Sequence, residues 1–422
     1  MFKPVITSLL DTDLYKLTMM QVYLHQFPQA SGTYAFKCRN YKGKKLGLLA
    51  EEINKQLDHL CTLKFTKDEL DYLRNLRFIK PDFVDFLKLF QLDRESIKVS
   101  TTDNPDNLDI RVSGPLVHRS YFEIFVLAIV NEVYFRQFES DNVYKEGLSR
   151  FNTKMNQVKS VIDYDNPYAW AEFGTRRRFS REWQEKLVTL IKDGNYHSFR
   201  GTSNVDLARR LGLTPIGTMA HEYLQAHQAF DYKLKDFQKA ALENWVKEYR
   251  GDLGIALTDV IGMDEFLNDF DLYFAKLFDG LRHDSGCPFE WGEKAIAHYK
   301  KLGIDPKSKI LIFSDGLDFD KAIELYKCFA DRIKVTTCLG TNITNDLGVE
   351  ALNIVMKIIE CNNQPVLKRS DSPGKTMCED KKYIALFNNV FPPSDAHLRA
   401  ERSNVSKNDV IKPAEPTLSL DM

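Results

Sequence analysis

Lys309-Ile-Leu-Ile-Phe-Ser-Asp-Gly-Leu-Asp318, continued by Phe319-Asp-Lys-Ala-Ile-Glu-Leu-Tyr-Lys-Cys-Phe329, decides the fold. Its opening run, Lys309 to Phe313, is largely apolar, with no alternation after the lysine, as a parallel strand buried on both faces requires. The polar turn Ser314-Asp-Gly-Leu-Asp318 ends it. The helical period that follows puts Ala322, Leu325, Tyr326 and Phe329 on one face. One strand, one glycine-containing turn and one amphipathic helix make a β/α unit.

The unit recurs on either side. Arg332-Ile-Lys-Val-Thr-Thr337 reads as the next strand, closed by Cys338-Leu-Gly-Thr341. Upstream, Gly292 to Gly303 is a helix with Ala295, Ile296 and Tyr299 on one face, stopped by Gly303. Further turns after short apolar runs are Glu172-Phe-Gly-Thr-Arg176, Gly201-Thr-Ser-Asn204, Gly217-Thr-Met-Ala-His221, Ala256-Leu-Thr-Asp259 and Arg282-His-Asp-Ser-Gly286. Repeated units of this kind form a β/α barrel or an open doubly wound sheet, and both place ligands at the carboxyl ends of the strands. Seven candidate strand ends carry reactive side chains, which favours a closed ring pointing them at one cavity. No G-x-G-x-x-G follows a strand, so a dinucleotide fingerprint is missing.

Outside this region the patterns are mixed. Gly32 to Asn40 alternates, with Tyr34, Phe36 and Cys38 on one face, and Leu108 to Gly114 reads as a second strand. Leu46 to Leu60 is helical. Ser120 to Phe138 is a helix apolar nearly all round, expected between layers. Leu352 to Cys361 and Gln364 to Ser370 flank Asn362-Asn363, a pair that tolerates positive φ, and this hairpin is expected to rejoin the N-terminal part. From about residue 400 the chain is polar and aperiodic.

Composition narrows the function. The 422 residues carry 58 Lys+Arg against 59 Asp+Glu, a net charge of −1, and lack the basic excess of a nucleic-acid or anionic-membrane binder. The aliphatic stretch Ile124 to Val130 falls far short of the ~20 residues of a spanning helix. The N-terminal residues meet Asp11 and Asp13 where a signal peptide has an apolar centre, so a cytoplasmic protein is expected. Seven scattered cysteines, with no C-x-x-C, point to reduced core residues rather than zinc or disulfides.

The strand-end turns collect Arg176, Ser203, His221, Asp259, Arg282, Asp284, Asp315 and the Gly340-Thr341 backbone. Metal hydrolases want more histidines, and glycosidases need no phosphate cradle. Arginines beside glycine-rich N–H groups bind phosphate, and carboxylates next to them hold ribose hydroxyls or Mg²⁺. The set reads as a sugar-phosphate or nucleotide site. Arg176-Arg177-Arg178 could instead be a solvated basic face, but the apolar run before it argues for burial. His221 opens a helical stretch, where a helix N-terminus disfavours imidazolium and leaves a neutral, nucleophilic ring. Asp259 and Glu222 are the acidic candidates to orient it; His227 lies off its face and is expected at the surface. Tyr15 could be a core residue, and Cys287-Pro288 reads as loop.

Seven ordered motifs, Ser8 to Met19, Glu172 to Arg178, Gly201 to Asn204, Pro215 to Glu222, Arg282 to Gly286, Phe313 to Asp318 and Ser370 to Lys375, resemble the nicotinate phosphoribosyltransferase family. The resemblance implies a type II phosphoribosyltransferase fold. This is α/β: an irregular α/β barrel (121–350) with an α/β sandwich domain built from the N-terminal (1–120) and C-terminal (351–422) segments. It implies joining of nicotinate to 5-phosphoribosyl 1-diphosphate, giving nicotinate mononucleotide and diphosphate for NAD salvage, with ATP and Mg²⁺ as cofactors and a homodimer with shared active sites. His221 then resembles the histidine that ATP phosphorylates. Phe173 and Tyr15 resemble the aromatics that sandwich the pyridine, Tyr15 entering from the second subunit. Arg176 and Arg282 resemble the arginines around the phosphoribosyl and nicotinate groups, Asp284 and Asp315 match positions near the ribose hydroxyls, and Gly316, Gly340 and Thr341 match the phosphate-binding turns. Ser203 stands where nicotinamide-using relatives have aspartate. A hydroxyl can donate to a substrate carboxylate that a second carboxylate would repel, so serine favours the acid. Two departures stand out. Cys338 replaces a glycine, so that position is extended or the turn is remodelled, and Cys287 replaces an aspartate near the diphosphate or metal.

Overall fold

The computed structural model describes residues 2–161, 163, 166–372, 377–378 and 380–393; the polar tail from about 400 and Lys375 lie outside them. Among the described residues the strands, in chain order, are β1 (Ser31–Cys38), β2 (Ile97–Thr101), β3 (Leu108–Pro115), β4 (Ala169–Glu172), β5 (Phe199–Thr202) and β6 (Ile255–Leu257). They continue with β7 (Gly280–His283), β8 (Ile310–Phe313), β9 (Lys334–Leu339), β10 (Ile354–Cys361) and β11 (Gln364–Pro365).

Two sheets result. One is antiparallel, in the order β11-β10-β1-β3-β2, and the other has the order β5-β4-β9-β8-β7-β6 with parallel pairings throughout. The hairpin that rejoins the N-terminal part is β10–β11: β10 pairs with β1, setting Tyr34 opposite Ile358. Asn362 and Asn363 have φ of 47° and 60°, the left-handed values a two-residue hairpin turn demands.

The parallel sheet carries six strands where the sequence suggests seven strand ends. Gly217-Thr-Met-Ala-His221 follows an irregular segment instead. Thr202 N–H donates to Thr214 O (3.3 Å) and Ile216 N–H to Thr202 O (2.9 Å) on the β5 side, while Thr218 Oγ1 donates to Ile255 O (3.1 Å) on the β6 side. Both sheet edges are thus bonded to residues 214–218. Pro215 has no N–H to extend a ladder, which explains why the ring is bridged there without a regular strand.

The helix Phe122–Phe135 is buried at every position and packs on β10, the turn Thr175–Arg177 and the helix Ala50–Leu60. It cements the two sheets and brings Glu123 to the cavity between them. Cys287, expected in a loop, is the N-cap of the helix Pro288–Lys301, with Pro288 in the first turn where its missing N–H costs nothing. Among the described residues no helix is long and apolar enough to cross a membrane.

Candidate active site

A cavity of about 710 Å³ opens between the carboxyl ends of the parallel strands and the face of the antiparallel sheet. Tyr15, Phe173, Arg176, His221, Arg282, Asp284, Asp315, Gly316, Gly340 and Thr341 all line it. Arg282 lies at the end of β7 and His221 follows the irregular segment 214–218; the others arrive on turns after β4, β7, β8 and β9 or, for Tyr15, on the N-terminal segment laid across the β5 end. Asp259 and Ser203 lie one layer deeper, almost wholly buried.

His221 begins a short helix and is oriented by Asp259, whose Oδ1 is 2.8 Å from Nε2; Asp284 Oδ2 is 3.5 Å away. Asp259 also accepts from Ser285 Oγ (2.6 Å) and pairs with Lys368 Nζ (2.6 Å). Burial alone would raise the Asp259 carboxyl, but Lys368 and His221 outweigh it and hold it well below the usual carboxylate range. The imidazole is pushed down, first by burial and then by the Lys368 ammonium, against the pull of Asp259 and Asp284. The neutral ring anticipated from the sequence is present, with burial and Lys368 as its causes. With Nε2–H donating to Asp259, the lone pair sits on Nδ1. Glu222 takes another part: with Glu123 it clasps the buried Lys16, at 2.7 Å from Nζ in its own case. His227, expected at the surface, is fully buried among Phe27, Tyr223 and Phe230, and burial lowers its pKa to about 3.

Two glycine turns face the cavity. Gly316 has φ of 58°, a left-handed value that glycine takes without strain. At Gly340 a Cβ would lie 2.7 Å from Phe173 O, so only glycine lets the β9 turn approach the β4 turn. Cys338 lies inside β9 and is not among the positive-φ residues. Of the two alternatives open at that position, the extended one holds.

Cations on or beside the antiparallel sheet were missed by sequence reasoning: Arg39, Lys357 and Lys368 face the same cavity as Arg176, Arg177 and Arg282. Burial, then Lys368 and Arg39, depress the Lys357 ammonium to about 7. Crowded cations of this kind call for a polyanion. The signal available in the sequence was a lysine in the middle of the largely apolar Ile354–Cys361. Asp13, also missed, lines the cavity while Ser203 does not; Ser203 Oγ donates to Asp13 Oδ1 at 2.6 Å. Tyr15 lines the cavity from its own chain, on the N-terminal segment. The N-terminal segment is pinned there by Leu14 N–H to Ser203 O (2.9 Å) and Val205 N–H to Thr12 O (3.0 Å).

The chain matches the description "Nicotinate phosphoribosyltransferase (NAPRTase) family" over residues 168–394 and the corresponding N-terminal domain over residues 10–131. It is 58% identical over 393 residues to a nicotinate phosphoribosyltransferase of Chromobacterium violaceum, covering 92% of this chain and 97% of the relative. Identity to the protein of the same name from Acinetobacter baylyi is 59% over 394 residues, with the same coverage. The crystal structure of nicotinate phosphoribosyltransferase from Vibrio cholerae superposes with a TM-score of 0.88 at 39% identity, covering 95% of this chain and 98% of that one. Motifs, fold and both matched segments agree: the chain belongs to the nicotinate phosphoribosyltransferase family.

Proposed function

We propose that the protein joins nicotinate to 5-phosphoribosyl 1-diphosphate, giving nicotinate mononucleotide and diphosphate, and couples this to ATP hydrolysis through a phosphorylated His221. The observation that carries the reading is the meeting, in one cavity, of a neutral, Asp259-bound imidazole with two glycine phosphate turns and six cationic side chains. The pyridine nitrogen carries no proton at neutral pH, so attack on the ribosyl carbon needs no general base, and His221 is left for phosphoryl transfer. Tyr15 and Phe173 present ring faces to the pyridine. Arg176 stays charged: burial would lower it, but Tyr15, Glu123, Asp284 and Asp13 outweigh that. Gly316, Gly340 and Thr341 take the 5-phosphate, while Arg39, Arg177, Lys357 and Lys368 neutralise the departing diphosphate.

In the coupled step the γ-phosphoryl group of ATP passes to Nδ1 and ADP leaves. Nε2–H stays on Asp259, whose carboxylate compensates the charge gained by the ring. Water then takes the phosphoryl group as inorganic phosphate.

Mg²⁺ belongs to this proposal. His221, Asp259 and Asp284 place ligand atoms within 4.8 Å of one another, but Lys368 already occupies Asp259, and Mg²⁺ prefers oxygen donors. Asp284 and Asp315, with substrate diphosphate oxygens, fit it better. Its chemistry would be charge neutralisation on the leaving group.

We further propose a cytoplasmic enzyme. The homodimer is retained in the proposal, with each cavity built by its own chain. Nicotinamide as the acceptor is a second reading, raised by the carboxyl of Asp13 on the cavity wall. Labelled nicotinate and nicotinamide, each offered with and without ATP, test both. Nicotinate consumption stimulated by ATP is expected. His221→Ala is expected to lose that stimulation and the acid-labile label taken from γ-labelled ATP; label persisting in this variant would overturn the histidine assignment.

A further inference from the structure

Asp13 is the N-cap of the helix Leu14–Gln26, yet its side chain makes no cap hydrogen bond. An aspartate there normally accepts from the first-turn N–H groups. This one turns instead to the cavity wall, 2% exposed, and accepts from Ser203 Oγ through Oδ1. Around it stand Tyr15 on the same helix, Glu123 on the helix Phe122–Phe135, Glu172 at the end of β4, Arg176 on the following turn, and Ser203 beyond β5.

We propose that Asp13 reads the ring substituent of the pyridine substrate: as the neutral acid it donates from Oδ2 to the substrate carboxylate, and Ser203 acts only through it by holding Oδ1. The proposal rests on the reading that this cavity takes a pyridine acid. Arg176 supplies the charge that pairs with the substrate; Asp13 supplies a donor. An ionised Asp13 would repel the acid and would accept from an amide N–H instead, so its protonation state sets the choice between the two substrates.

Burial raises the Asp13 carboxyl, and the bonds from Ser203 and Tyr15 and the charge of Arg176 only partly oppose it. The sign follows. Nicotinate use needs the bound proton and falls as pH rises through the pKa of Asp13; nicotinamide use moves the other way.

The test measures kcat/KM for nicotinate and nicotinamide across pH in three proteins. In the wild type the acid-to-amide ratio is expected to drop about tenfold per pH unit, because nicotinate use follows the protonated and nicotinamide use the ionised fraction of Asp13, with the nicotinate profile itself bending down at that pKa. Asp13→Asn keeps a donor but cannot ionise, so its ratio should not change with pH. Ser203→Ala removes a bond that lowers the pKa, so the falling limb should move to higher pH and persist. An Asn variant with the wild-type slope, or a Ser203→Ala limb that does not move, overturns the proposal. A wild type that consumes neither pyridine in any condition overturns the underlying reading instead.

Discussion

Three successive arginines fold into three different environments. Arg176 faces the cavity. Arg177 also reaches it, but Nε and Nη2 donate to Ile354 O at 2.9 and 2.7 Å, tying the β4 turn to β10. Arg178 is buried and grips Asp11 with both Nη atoms, at 2.6 and 2.7 Å, while Asn204 Nδ2 donates to the same carboxylate at 2.7 Å. Burial would raise the Asp11 carboxyl, but Arg178 holds it below its ordinary value. Its folded pKa is therefore depressed, so the stability it contributes is present above the unfolded pKa of ~3.9. That contribution is lost as pH falls through the folded value. Arg178→Leu leaves Asp11 buried without its charge partner, and a loss of about 3–5 kcal/mol in urea unfolding at pH 7 is expected. The difference from wild type should shrink towards pH 3, where Asp11 protonates more readily in the variant.

At the scale of elements, the β/α periodicity of Lys309 to Phe329 is realised as β8 followed by the helix Phe319–Phe329, and the alternation from Gly32 as β1. The β9 and β4 turns meet only because position 340 has no side chain. Gly340→Ala would push a methyl group against Phe173 O, a backbone atom that cannot rotate away. We expect its kcat/KM for 5-phosphoribosyl 1-diphosphate to fall at least about tenfold, with the turn displaced by several tenths of an ångström. Isothermal titration with that substrate alone should show the loss in binding. Unchanged affinity would mean that the two turns tolerate separation. The segment 214–218 shows the limit of pattern reading: its apolar content suggests a strand, but Pro215 breaks the ladder, and bonds from both sheet edges hold it in place.

For the whole molecule, the proposal that each cavity is built by its own chain rests on Tyr15, Phe173, Arg176 and His221 of one chain lining a single cavity. Mixing Tyr15→Ala with His221→Ala chains, under conditions that exchange subunits, should therefore restore no activity. Each cavity would still lack one group. Recovery towards half of wild type in the mixed species would show that a second subunit completes the site.

Local chemistry made much of this legible beforehand. Apolar runs ending in Gly-containing turns define buried parallel strands, because chain period and turn geometry are short-range properties. The residue types on those turns point to the phosphate site proposed above for the same reason. Asp13, Arg39 and Lys357 were not legible. They are separated by long stretches of sequence from Arg176 and His221, and sequence spacing carries no signal for contacts made by packing one sheet against another. Ser203 shows the same division. Its turn is readable from Gly201-Thr-Ser-Asn204, but the direction of its hydroxyl, towards Asp13 and away from the cavity, depends on the N-terminal segment crossing over β5. The sequence alone determined which side chains are available and which local elements carry them. The tertiary structure decided which of them share a dry cavity, and hence which are charged there, because burial and neighbouring charge exist only after the sheets have closed on each other.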